Sequence, residues 1–262
     1  MTIQSTLLFS ALFALIAAYI YMYVGWRLGK RVVASSDARL AWVSFTVWWY
    51  GLAIVTLLGG LQNLFAAVGL TDLPLFVTAI QLNIQVTCIA LLSLLYYLVY
   101  LYTGNRNSLW ALTIFYVIFY VLLVYFINAS SPNSVTVERW NAGIAYDNTP
   151  TGTFIILLIV LLILPPVVGG FAYFMLYFRV TEITQKYRIF LVSWSIILWF
   201  LSPLAALAGG ISQQDWWEFA RRLIGLAAAF IILMAYLPPR WLKQRYGIIS
   251  LSEESQEANA TR

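Results

Sequence analysis

The sequence predicts an all-α membrane protein. It would be a bundle of seven transmembrane helices, N-terminus outside and C-terminus cytoplasmic, with a short β-hairpin in the outer loop between helices 4 and 5. Three observations predict it. The 262 residues are 62% hydrophobic and 10% charged, with mean hydropathy +0.84, whereas a soluble domain carries about 25% charged residues. Seven apolar runs are each long enough to cross a bilayer as a helix. The basic residues are divided unevenly between the two ends of those runs. Arg27, Lys30, Arg31, Arg39, Arg106, Arg179, Lys186, Arg188, Arg240, Lys243, Arg245 and Arg262 fall on one side, and Arg139, Arg221 and Arg222 on the other. The richer side is the cytoplasmic one by the positive-inside rule.

The spans run from about Thr6 to Trp26, Leu40 to Val68, Leu75 to Tyr102, Leu109 to Ile127, Thr153 to Phe178, Tyr187 to Ala208 and Phe219 to Leu237. No Lys or Arg precedes the first span, so it does not read as a cleavable signal. Spans 2 and 3 join tightly through Gly69 to Pro74. The longest connection, Asn128 to Gly152, contains the alternating segment Val135 to Trp140, then Asn141-Ala142-Gly143, then Ile144 to Asp147. That pattern predicts the hairpin, with its turn at Asn141–Gly143, lying over the outer mouth. Before span 7, Asp215 is placed to cap a helix and Glu218 to pair with Arg222 four residues on. Residues 1–246 make one transmembrane domain, and residues 247–262 read as a disordered cytoplasmic tail.

The third span carries amides in its first half. At about 100° per residue, Gln81 and Gln85 share a face with Thr78 and Cys88, and Asn83 and Thr87 lie on roughly the opposite one. An unpaired amide in hydrocarbon costs several kcal/mol. Two polar faces therefore predict a central helix, enclosed on both sides. Gln62 and Asn63 of span 2 lie at a similar depth. Two readings stay open for this cluster: a ligand pocket opening outward between spans 2, 3 and 7, or hydrogen-bonded glue between helices. Gly51, Gly59, Gly60, Gly169, Gly170, Gly209 and Gly210 read as close helix approaches, and Pro165, Pro166 and Pro203 as kinks.

Several chemistries are disfavoured. The chain has no histidine and one cysteine, Cys88, which removes His-ligated haem, the usual zinc and di-iron sites and any His-based triad. Trp194, Trp199 and Pro203 of span 6 resemble the ligand-facing sixth helix of rhodopsin-like proteins, and both tryptophans join the candidate ligand-binding residues. A retinal Schiff base, however, needs a lysine in span 7, and the lysines are Lys30, Lys186 and Lys243. No Asp or Glu lies deep in a span, which disfavours proton-coupled transport. No cofactor, nucleic-acid partner or enzyme activity is expected.

The third span ends in the turn Tyr102-Thr103-Gly104-Asn105-Arg106, and a basic turn, Thr184 to Arg188, follows span 5. With the long loop between spans 4 and 5, these features resemble the seven-helix N-terminal sensor region of bacterial histidine kinases. No output domain follows Tyr246. The resemblance therefore implies a free-standing sensor in a bacterial inner membrane. Such a module would signal through a cytoplasmic or membrane partner, with oligomers compatible. The rival expectations are an accessory subunit of a larger membrane complex and, behind it, a carrier for a neutral or lipophilic molecule.

Overall fold

The computed structural model describes residues 3–30, 36–129, 131–147, 164, 166–212 and 216–250. The apolar runs become long helices: α1 (Ile3–Gly29), α2 (Ser36–Ala67), α3 (Leu73–Thr103) and α4 (Ser108–Ala129). The hairpin strands β1 (Pro132–Val137) and β2 (Ala142–Tyr146) follow. Next come α5 (Pro166–Phe178, its last turn a 3₁₀ helix), α6 (Ile183–Ser212), α7 (Trp216–Tyr236) and the short α8 (Arg240–Tyr246). Five of them, α1, α2, α3, α4 and α7, carry stretches long and apolar enough to cross a bilayer, which makes the chain an integral membrane protein. The expected first half of span 5, the Asp215 cap and the tail beyond Ser250 lie outside the described residues.

Local chemistry fixes the ends of α3. The Asp72 carboxylate accepts the Leu75 N–H at 3.2 Å, and Pro74 occupies the first turn, where its missing N–H costs nothing. Gly104 at φ 65° closes the other end with its N–H on the Tyr100 carbonyl at 2.8 Å, a conformation that suits glycine. The helices run a few residues past the apolar stretches because polar residues at a membrane interface can still be helical.

The helices pack in the order α4, α3, α2, α1, α7, α6, and α5 bridges α3 and α6. Small residues allow these approaches. A side chain at Gly51 would sit 2.5 Å from the Ala90 Cβ, at Gly60 3.0 Å from Ala14, at Gly169 2.7 Å from Leu98 and at Gly170 2.9 Å from Ile197. The core is aromatic and centred on α2. Trp48 and Trp49 are fully buried. Trp48 stacks on Phe200 at 5.9 Å, Trp49 on Tyr21 at 6.0 Å, and Phe45 on Tyr97 at 4.4 Å.

This corrects the expectation that α3 is the central, doubly enclosed helix. Leu75, Thr78, Leu82, Gln85 and Ile89 are all exposed, and their spacing makes one open stripe along it. Asn83 marks the packed side, donating to the Val55 carbonyl of α2 at 3.1 Å. Thr78 tolerates the open side because its hydroxyl donates to its own helix, at the Pro74 carbonyl, 2.8 Å away. A second difference concerns the expected tail. Its first residues pack on the start of α6, with Ile248 and Ser250 buried.

Candidate functional site

At one end of the bundle the hairpin lies over the starts of α1, α3 and α7 and the end of α2. Val137 pairs with Ala142 and Val135 with Ile144, and the Glu138 N–H closes the turn on the Asn141 carbonyl at 2.8 Å. The turn is thus Glu138 to Asn141, earlier than the expected Asn141–Gly143. Packing sets this register. Val135, Ala142 and Ile144 form a small second core with Leu7, Ala66 and Phe76, and a one-residue slip would turn that face away.

Four polar anchors fasten the hairpin. Asn63 is fully buried; its Nδ2 donates to Ser10 Oγ at 3.0 Å, and its Oδ1 accepts the Ala142 N–H at 2.9 Å. The Thr6 hydroxyl donates to the Arg139 carbonyl. The Asn141 Oδ1 accepts from Arg221 Nη2 at 3.1 Å and from Arg222 Nη2 at 2.9 Å. Trp140 packs on Phe219 with ring centroids 4.9 Å apart.

The ion pair here is Arg221 Nε to Glu218 Oε2, 2.8 Å, three residues apart, where the sequence suggested Glu218 with Arg222. Arg222 lies a further 100° round the helix and faces α2. The space where a Gly59 side chain would stand is 4.0 Å from its Nη1.

Two enclosed donors define the chemistry. Arg222 Nε and Gln62 Nε2 are shielded from solvent and have no hydrogen-bond acceptor among the described residues. Gln62 stands three residues after Gly59 and so shares the α2 face turned to Arg222. Among the described residues, two guanidinium groups stand against one carboxylate, which leaves the cluster net positive. Buried N–H groups without acceptors are costly. A cationic cluster with such a donor, flanked by Gln62 on α2, is suited to an oxygen-bearing anion, the partner that guanidinium recognises best.

The structure therefore brings Gln62 and Asn63 together and separates the other candidates from them. Gln81 is half-buried on α3, while Gln85 and Thr78 lie on the open stripe. Trp194 is exposed on α6 beside Phe190. Trp199 packs against Trp48 and Phe200 at mid-depth. Asn141, Arg221 and Arg222 were missing from the candidates. Their signal was visible as an adjacent arginine pair at the cation-poor end of the bundle. Comparison with protein-family models, curated proteins and solved structures finds no match to this chain.

Proposed function

We propose that the chain is a seven-helix sensor or receptor-like membrane module that takes an oxyanion-bearing small molecule under the hairpin and signals through a partner protein. In this reading α5 and α6 complete the seven spans. The hairpin faces outward, and the cation-rich end faces the cytoplasm of a bacterial-type cell. The division of basic residues supports that orientation. One observation carries the ligand: among the described residues, the enclosed Arg222 Nε and Gln62 Nε2 have no acceptor, and the arginine pair outnumbers its carboxylate. Transmission has a simple route. Arg222 and Tyr236 lie on one helix, fourteen residues or about 21 Å apart, so a ligand that draws Arg222 inward moves the start of α7 relative to α8.

The test uses full-length protein in nanodiscs, titrated with acetate, sulfate and inorganic phosphate while tryptophan fluorescence is followed. At least one anion should give a saturable change that is lost in Arg222→Gln and Gln62→Leu and kept in Gln85→Leu. A thiol introduced by Lys243→Cys in a Cys88→Ala background should change reactivity when that anion binds. No saturable binding removes the ligand site. Binding without any change at position 243 removes the signalling reading.

The accessory-subunit reading has one observation of its own. Trp110, Ile114, Val117, Ile118, Val121 and Tyr125 of α4 are all exposed, a broad apolar face that lipid or another membrane subunit would cover. Cross-linking from Val121 to one stoichiometric membrane protein, with no anion response, would favour it.

A further inference from the structure

The opposite end of the bundle holds a second site, independent of the hairpin cluster. Five helices, α2, α3, α5, α6 and α7, converge there on a cavity of about 250 Å³. For scale, a cavity of about 150 Å³ accepts a benzene ring. Its walls are largely aromatic. Phe45 and Tyr97 stack at 4.4 Å with an interplanar angle of 24°, Tyr173 lies 6.2 Å from Tyr97, and Tyr236 closes the α7 side. Rings packed on one another this closely give a slender apolar body a rigid wall.

One lining residue is charged. Arg188 is 8% exposed, and no Asp or Glu lines the cavity among the described residues. Its guanidinium lies 5.9 Å from the Tyr236 ring, and its Nη2 donates to the Ile249 backbone carbonyl at 2.7 Å. The Ile249 N–H is held by Thr184 Oγ1 at 3.4 Å. Ile249, in the segment after α8, is thus held to α6 at both its carbonyl and its N–H. A carbonyl is a neutral acceptor. A carboxylate accepts from a guanidinium with about twice the strength and in a matching two-pronged geometry.

We propose that this cavity binds a carboxylate-headed apolar molecule. Its body lies against Phe45, Tyr97 and Tyr173, and its carboxylate takes the Arg188 guanidinium in place of the Ile249 carbonyl. The exchange removes one of the two bonds that hold Ile249 to α6 and so loosens that segment, and binding at this site is read out at the chain's cation-rich end. The same chemistry could arrive as a soluble aromatic acid or as a fatty acid from the bilayer, and the two sources are separable.

The experiment uses full-length protein in phosphatidylcholine nanodiscs, with empty nanodiscs as the partition control. Naphthoate probes the soluble source and dodecanoate the membrane source; naphthylmethanol and dodecanol are their uncharged counterparts. At least one acid should bind saturably, and at least about tenfold more tightly than its alcohol, the order for one charge-assisted bond. Arg188→Gln should remove that advantage. Because Arg188 also holds Ile249, a second variant is needed. Leu101→Trp places a large ring at a lining position that is 41% exposed; it should abolish binding while melting like the parent. Hydrogen exchange of residues 247–250 should quicken when the acid is bound. Absence of binding by both acids, equal binding of acid and alcohol, or unchanged binding in Leu101→Trp would overturn the site. Binding with unaltered exchange at 247–250 would overturn the displacement of Ile249.

Discussion

Replacing Asn63 by Leu removes the buried amide that ties the hairpin to α1 and α2 while keeping its volume roughly constant. Asn63 is fully buried and joins three elements, accepting from Ala142 at 2.9 Å and donating to Ser10 at 3.0 Å. Ala142 is itself 4% exposed, so its N–H would be left buried and unsatisfied, at a cost of about 1–3 kcal/mol. The lost contact between α1 and α2 costs the bundle about 1 kcal/mol more, but it is made whether or not the hairpin is docked. The docked hairpin should therefore weaken by roughly 1–3 kcal/mol, a shift of about 5- to 150-fold in its opening equilibrium at 1.4 kcal/mol per factor of ten. Hydrogen exchange followed by mass spectrometry on nanodisc-embedded protein reads this directly, because the amides of residues 132–147 exchange through local opening. Their protection should fall by that factor while α2 and α3 keep theirs. Asn83→Leu, which loses the bond to the Val55 carbonyl and a long one from Thr87, should cost about 1 kcal/mol, and Gln85→Leu on the open stripe should cost nothing measurable. Equal destabilisation by all three, or unchanged hairpin protection in Asn63→Leu, would refute the assignment of Asn63 as the anchor.

Three further outcomes are expected. Gly51→Ala puts a methyl group 2.5 Å from the Ala90 Cβ and 3.3 Å from its backbone, so thermal melts should show a loss of about 1–3 kcal/mol; Gly225→Ala, with nothing within 4 Å, should be neutral or gain up to about 1 kcal/mol in helix propensity. A membrane-impermeant maleimide applied from outside should modify Asn141→Cys and spare Lys243→Cys in a Cys88→Ala background; the reverse pattern would invert the proposed orientation. Burial raises the Tyr146 phenol above its ordinary value of 10.0, so the folded hairpin holds that proton more tightly than the unfolded chain. This contribution is fully present below about pH 10 and is lost as pH rises beyond it. Hairpin protection, corrected for intrinsic exchange, should be flat to about pH 9 and decline above about pH 10, and Tyr146→Phe should remove the decline.

Composition and the run lengths of apolar residues determined the membrane environment and the helices, because a bilayer accepts a backbone only when its hydrogen bonds close within a helix or a sealed barrel. The tight join at Gly69 to Pro74 and the turn after Tyr102 were legible because they act within a few residues of themselves; that Asp72 and Gly104 cap α3 came from the structure. Alternation located the hairpin, but its register waited on Leu7 and Phe76, distant residues against which Val135 and Ile144 pack. Periodicity could divide the α3 amides between two faces but could not say which face meets α2. That choice depended on Gly51 fitting against Ala90 and Asn83 reaching Val55. Gln62 and Asn63 could be named from their depth in an apolar span. The partners of Asn63 could not, since Ser10 and Ala142 lie 53 and 79 positions away in the chain and meet it only when α1, α2 and the hairpin close on one another. The Arg188 cavity belonged wholly to the tertiary structure. Five separate helices supply its wall, and no local pattern records that aromatic residues so far apart will face the same space.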